Sequence, residues 1–511
     1  MAREDSSTIA NNWGVALAVL IAGGFMAILD TSIVNIAIPK LESVFSVNTA
    51  QVQWVVTIYM LTLGVVVPLA GYLGERFGYR RIYVLSLVVF TVGSALSGLS
   101  WSLSVLTMFR VLQALGGGLI MPITMAMVYR MVPRHRIGTA MGFWGLGIIV
   151  APAIGPALGG WLVQYVDWRL IFYINVPIGI IGSVLALAYV PKFPKGVTGP
   201  FDFVGFALSA MGLFGLLLAL SEGQTWGWGS EAIVMLFGVS ILLLILFTLW
   251  ELMVKHPLLN LRVFARGSFA MANLLVIVIT VSMYSGVFYV PLFLQTVAGY
   301  GAMQTGFMMM PAALASAIMM PLSGRLYDRI GARWVVLTGL LILAYTTFLL
   351  HGLSTTTPVF QVVWWLTLRG LGMGMAMMPA TTAGMSAIPT PLVGSGSAIN
   401  NIMQRVAGSF GLAFMTAVLQ SQSALHASTL ASAYTPDSQP GMQFIHHLSV
   451  YLGHGVLPGQ RILSINGLYH LIQQEAFVMG IDDIFVLGAA ITLLGAVLSL
   501  FLRTYRQGAQ G

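Results

Sequence analysis

Apolar residues in this chain neither alternate nor form narrow stripes. They run for about 20 positions at a time, the length a helix needs to cross a bilayer core about 30 Å thick, and short polar links separate the runs. Fourteen such runs are legible, at about 14–38, 52–72, 81–100, 103–129, 137–165, 170–190, 202–221, 232–254, 269–292, 304–323, 333–352, 360–386, 397–420 and 482–502. Inside hydrocarbon only a helix satisfies its own backbone groups, so each run predicts a helix and the chain an all-α membrane protein. The first run is too long for a signal peptide and no small-residue cleavage site follows it, so it is read as a span.

Composition agrees. Hydrophobic residues make up 58% of the 511 positions and charged residues 7%, where a soluble domain carries about 25% charged. That excludes a soluble enzyme, a nucleic-acid binder and a disordered scaffold. The net charge of +8 becomes a topology signal once its positions are read. Of 23 Lys and Arg, 17 fall in the amino tail, the even-numbered links or the carboxyl tail. Lys40, Arg169 and Arg461 fall on the other side, and Arg110, Arg369 and Arg405 within spans. Both termini are therefore expected in the cytoplasm. The absence of cysteine excludes disulfides and thiolate metal sites.

The chain repeats itself. Pro68-x-x-Gly71-x-Leu73-x-Glu75-Arg76-x-Gly78-x-Arg80 returns as Pro321-x-x-Gly324-x-Leu326-x-Asp328-Arg329-x-Gly331-x-Arg333, at a fixed offset of 253. Two related halves follow, a build common in transporters. The expected division is an amino-terminal six-helix bundle at 1–195, two additional linking helices at 196–256, and a carboxyl-terminal six-helix bundle at 257–511 with a long external loop at about 421–480.

Together with Leu29-Asp30-Thr31-Ser32-Ile33-Val34-Asn35-Ile36-Ala37-Ile38-Pro39, Arg110-x-x-Gln113-x-x-Gly116, Gly147-x4-Pro152-x-x-Gly155-Pro156-x-x-Gly159-Gly160 and Trp168-Arg169-x-x-Phe172-x-x-Asn175-x-Pro177, this loop resembles the signatures of the major facilitator superfamily. Within it the chain is similar to the fourteen-helix drug:proton antiporters of the EmrB/QacA type. Glu75 stands where that pattern has Asp, and Ala114 where it has Gly. The resemblance implies the major facilitator fold, with two six-helix bundles plus two extra central helices. It also implies export by alternating access, driven by protons and needing no cofactor.

Asp30 lies within the first span, about nine residues or roughly 13 Å before Pro39. Charge at a helix centre costs about 2.5–3.5 kcal/mol, so it must face an interior cavity or a partner. Loss of water favours the neutral acid and a nearby cation the carboxylate, so a movement that alters either would load or release a proton. A static hydrogen bond is the alternative. Arg110, within span four, needs an acceptor, and Asp30 is the candidate; the alternative is a staple to backbone carbonyls. Gln113 shares its helix face. Pro152, Gly155, Pro156 and Gly159 give span five a small, kinked face. Glu75 and Asp328 can form networks with Arg76, Arg80, Arg329 and Arg333, around the turn residues Gly71, Gly78, Gly324 and Gly331, that hold one conformation closed; a plain topogenic role for these arginines is equally compatible.

The substrate cavity is expected from Met26, Asn35 and Gln113 of the first half and from Asn273, Tyr284, Phe288, Asn401, Gln404 and Arg405 of the second. Methionines around Met373–Met378 add adaptable apolar surface. Spans nine to thirteen hold no acid away from their ends, which favours neutral, zwitterionic or weakly acidic amphipathic substrates. His426, His446, His447, His454 and His470 lack tight metal-ligand spacing, and Phe444–Leu452 suggests a surface helix. No GxxxxGK loop or nucleophile–base constellation is present, so neither ATP nor enzymatic chemistry is expected. The resulting expectation is a proton-coupled multidrug exporter of a bacterial inner (plasma) membrane. Its partners are the lipid bilayer, protons and a small lipophilic substrate, with a periplasmic adaptor where the host has an outer membrane. An exporter of a lipid, siderophore or metabolite, or a non-transporting sensor, is the alternative.

Overall fold

The computed structural model describes residues 4–196, 199–354, 357–435, 438–439, 442–443 and 458–502. Long helices fill almost all of it, numbered α1 to α14 by span. The first half holds α1 (Glu4–Phe45), α2 (Thr49–Val66, resuming as Leu69–Phe77), α3 (Tyr79–Gly98), α4 (Leu103–Met131), α5 (Ile137–Tyr165) and α6 (Asn175–Tyr189). Between the halves lie α7 (Phe203–Trp226) and α8 (Glu231–Met253). The second half holds α9 (Gly267–Thr296), α10 (Ala302–Ile330), α11 (Ala332–Leu349), α12 (Val359–Ser386), α13 (Val393–Ala433) and α14 (Pro458–Ser499).

Thirteen of these helices are long and apolar enough to cross a membrane by composition alone. The other, α12, has the length at 28 residues, but its glycines, threonines and Arg369 dilute its apolar character. Those residues are largely buried within the bundle rather than facing lipid.

Proline explains where helices break and where they do not. Pro68 ends the first part of α2, while Pro39, Pro152, Pro291 and Pro321 ride inside continuous helices. Membrane helices tolerate such prolines because neighbouring groups re-satisfy the freed backbone. The repeated loops turn on Gly78 and Gly331, at φ of 98° and 84°, a region that only glycine adopts freely.

Two expected boundaries move. The first helix runs past Pro39 to Phe45. The external loop expected at 421–480 is largely helical, because α13 continues to Ala433 and α14 is already helical from Pro458. Phe444–Leu452, His446, His447, His454, Arg3, Arg503, Arg506 and the side chain of Arg461 lie outside the described residues.

Packing repeats as the sequence does. The pairs α1–α5, α3–α4, α2–α4 and α3–α6 recur as α9–α13, α11–α12, α10–α12 and α11–α14. Each is the earlier pair moved on by eight helices. The extra pair α7–α8 packs on itself, and α7 touches α2 of one half and α13 of the other. This is an all-helical fold of two six-helix bundles with two additional helices beside the seam.

Candidate functional site

Two polar centres and a seam emerge from this arrangement. The first centre lies within the amino-terminal bundle, where Asp30 of α1 is wholly buried. Its Oδ2 accepts from Arg110 of α4 at 2.5 Å. Its Oδ1 accepts from Gln113 Nε2 at 2.8 Å and from Asn175 Nδ2 of α6 at 2.9 Å. The same Arg110 nitrogen also donates to Gln113 Oε1 at 2.7 Å. The guanidinium lies over the Tyr59 ring of α2, 3.8 Å from its centroid, and its second terminal nitrogen is enclosed without a partner. Sequence reasoning foresaw the Asp30–Arg110 pair and Gln113 beside it. Asn175 and Tyr59 were missed as site residues, although Asn175 stands in one of the quoted motifs.

Charges taken out of water are tolerated when paired and further hydrogen-bonded, and removing one partner costs about 3–5 kcal/mol. Asp30 meets that condition with three donors. A proton arriving there removes the negative charge that these donors bind.

The second centre is its counterpart. Arg369 of α12 stands in the carboxyl-terminal half as Arg110 stands in α4, and it too reaches the first helix of its half, α9. There it donates to the Ser282 carbonyl, to Ser285 Oγ at 3.2 Å and, on α11, to Thr347 Oγ1 at 3.2 Å. All three acceptors are neutral.

At the end of the molecule that carries the repeated loops, the two halves are sealed together. Asp328 of α10 accepts from the backbone N–H of Gly138 and of Thr139, both at 2.9 Å, and from the Thr139 hydroxyl at 2.7 Å. An acid of one half thus caps the first turn of α5 in the other, where orphan N–H groups and the helix dipole favour negative charge. Glu75 accepts from Arg130 of α4 and, at 2.9 Å, from Tyr79. Arg130 also reaches the Thr390 carbonyl of the second half at 3.3 Å. Ser397 donates to the Pro122 carbonyl at 2.7 Å. Glycines allow the close approach: a Cβ at Gly71 would meet the Gly394 carbonyl carbon at 3.1 Å, and one at Gly142 would meet the Met320 oxygen at 2.5 Å.

This corrects the expected loop networks. Neither acid pairs with the arginine beside it, since neighbouring residues on a helix point in different directions. Arg76 donates to the Gly199 carbonyl at 3.0 Å, and Arg329 is exposed. Arg80 donates to the Leu187 and Val190 carbonyls, both at 3.2 Å, at the end of α6, and Arg333 to the Leu502 carbonyl at 3.2 Å, just past α14. The repeat therefore uses its last arginine in the same way twice. In α5, Gly155 and Gly159 pack on Ser32 and Ile33 of α1, whereas Pro152 and Pro156 are exposed.

The expected cavity residues divide. Met26 sits in the packed core, fully buried, and Gln113 belongs to the Asp30 cluster. Asn273 and Asn401 are closed away as well: Asn273 donates to the Phe269 carbonyl and accepts from Asn400, and Asn401 donates to the Ser397 carbonyl. Asn35 and Phe288 are exposed, and Tyr284, Gln404 and Arg405 are partly so. Depressions at Arg266–Ser268 and at Ile241–Leu249 lie away from all of these. Among the described residues, no group of three His, Asp or Glu is placed to hold a metal ion.

Comparison with known proteins completes the picture. The chain is 32% identical over 497 residues to YhcA of Bacillus subtilis, an MFS-type transporter, covering 96% of this chain and 93% of that one. It is 32% identical over 432 residues to the multidrug resistance protein B homolog of Mycobacterium tuberculosis, covering 83% and 80%. The solved proton:xylose symporter XylE shares the fold with a TM-score of 0.63 at 14% identity, over 98% of this chain and 97% of that one. Residues 20–412 match the sequence profile of the Major Facilitator Superfamily, and the chain, a multi-pass membrane transporter, belongs to that family.

Proposed function

We propose that this transporter is a proton-coupled exporter of amphipathic compounds, of the fourteen-helix drug:proton antiporter type, with Asp30 as its proton carrier. The observation that carries this reading is the sealed cluster in which Asp30 binds Arg110, Gln113 and Asn175. It joins α1, α4 and α6, so protonation at one atom alters contacts between three helices. A proton on Asp30 weakens its hold on Arg110. Arg110 then turns to Gln113, to the Val55 carbonyl and to the Tyr59 face, and α1 is freed to tilt. Loss of the proton restores the pair.

The basic end, with both termini, faces the cytoplasm, because Lys and Arg concentrate there. Residues 1–195 and 257–511 rock about the seam, and 196–256 lies beside it. The contacts of Asp328, Arg130 and Gly142 hold the cytoplasmic side shut, while Asn35, toward the other end of α1, is exposed. The similarity to a protein named for multidrug resistance supports export of foreign amphipathic compounds. The test is reconstitution of the full chain in vesicles with an imposed pH gradient. Wild type concentrates an amphipathic probe and moves protons the opposite way, and Asp30→Asn does neither. Gradient-driven accumulation by Asp30→Asn at the wild-type rate would remove Asp30 from the mechanism.

A further inference from the structure

The internal repeat copies the buried arginine of the first half but not its acid. Arg110 on α4 meets Asp30 on α1, whereas Arg369 on α12 meets only a carbonyl and two hydroxyls on α9 and α11. A third arginine has no counter-ion at all. Arg405 of α13 is within electrostatic reach of Tyr284 on α9 and, across the seam, of Tyr59 on α2. Its Nε is enclosed without a hydrogen-bond partner, and among the described residues no carboxylate pairs with it. Yet Arg405 is partly exposed, as are Tyr284 and Gln404. Asp30 makes its ion pair with Arg110 and accepts from Gln113 and Asn175, not from Arg405. Away from their ends, the described apolar runs thus hold three guanidiniums against one engaged carboxylate, and the residue that carries the unpaired guanidinium is partly exposed.

A charge in that setting needs a partner, and a guanidinium presents a fork of donors that matches a carboxylate. We propose that Arg405 is the anchoring cation for the acidic head of the exported compound, which makes the preferred substrate an amphipathic organic anion. This rests on the exporter reading above and narrows its substrate. The Tyr284 and Phe288 rings, one turn apart on α9, offer the apolar part a surface; Phe288 is 43% exposed.

The experiment compares three probes on the full chain: dansylaminoundecanoic acid, its primary amide, and ethidium. In vesicles with a pH gradient, wild type favours the acid over both. Arg405→Gln lowers the acid-to-amide ratio at least about tenfold, the loss expected when a desolvated charge pair is broken. Arg405→Lys, which keeps charge but not the fork, lowers it only a few fold. A ratio unchanged in Arg405→Gln, or a wild type that prefers ethidium, overturns the proposal. Acid binding to the detergent-purified protein, followed by dansyl fluorescence, separates the two readings. Arg405-dependent binding with no uphill transport of any probe would sink the exporter and keep the anion site, whereas no acid binding sinks the site itself. Should the glutamine variant fail to fold, the lysine variant decides: a loss confined to the acid supports the site, and an equal loss of acid and amide binding overturns it.

Discussion

A buried ion pair is a conspicuous device at the scale of single residues, because its stability and its function can be separated. Asp30→Asn leaves Arg110 buried without a counter-ion, held by neutral acceptors such as Gln113 and the Val55 carbonyl at 3.4 Å and by the Tyr59 and Phe172 rings. The expected cost is about 3–5 kcal/mol, seen as a lower melting temperature in detergent. Replacing both partners, Asp30→Asn with Arg110→Gln, removes the stranded charge and regains most of that loss. Proton-driven transport stays absent in both variants. A double variant less stable than Asp30→Asn would show that the arginine is held by contacts other than the acid. The pair was legible in the sequence because two lone charges in greasy helices have few places to go, and Gln113 followed from helical spacing. Asn175 was not legible as a ligand of Asp30. A neutral amide at the mouth of a helix costs little, so its residue type gives no alarm, and its 145-residue separation from Asp30 is bridged only by the fold. Arg130 was not legible as the partner of Glu75 for the opposite reason: a basic residue at a helix end already has a topogenic explanation.

Helix boundaries were legible wherever the bilayer dictates them and illegible wherever it does not. Hydropathy marks where hydrocarbon ends, not where hydrogen bonding along the helix ends. The stretches 421–433 and 466–480 carry Ser, Gln and His among Ala and Leu, which lowers apolarity while leaving helix propensity intact, so α13 and α14 outrun the predicted spans. The same limit applies at contacts between elements. The repeated loops announced that Glu75 and Asp328 matter, but only packing shows that Asp328 caps α5 from the other half. Asp328→Ala strands two backbone N–H groups and a hydroxyl, at about 1–3 kcal/mol. Since that cap exists only while the seam is shut, the loss falls on one conformation. The open population should rise by roughly one order of magnitude. Because the chain has no cysteine, a lone Cys placed at Ser397, fully buried in the seam, reports this directly. Its labelling by a maleimide should quicken about tenfold with Asp328→Ala, in proportion to the open population. Gly142→Leu should quicken it too, because its Cβ alone would approach the Met320 oxygen to 2.5 Å. An unchanged labelling rate in both variants would mean that the seam is held elsewhere.

For the whole molecule, what matters is which side the seam closes. A transporter that sealed both ends at once would trap its cargo, and one that sealed neither would leak protons. The half-to-half bonds of Asp328, Arg130 and Ser397 all lie toward the end with the repeated loops. Asn35, near the other end of α1, is exposed. On the orientation proposed above, with the basic end in the cytoplasm, a seam closed at that end is read as the state open to the outside. A membrane-impermeant maleimide added outside intact cells should therefore label a lone Cys at Asn35 quickly and one at Ser397 slowly. Substrate supplied from the cytoplasm binds and stabilises the opposite state, so it should slow labelling at Asn35 and quicken it at Ser397. The two changes must go together, because a ligand shifts populations only by its differential affinity for the two states. Labelling of Asn35→Cys from the cytoplasmic side instead, in inverted vesicles, would reverse the orientation and make the chain an importer in the same geometry. Two reporters that respond independently would refute a single rocking motion of the two bundles, since a rigid swing opens one end only by closing the other.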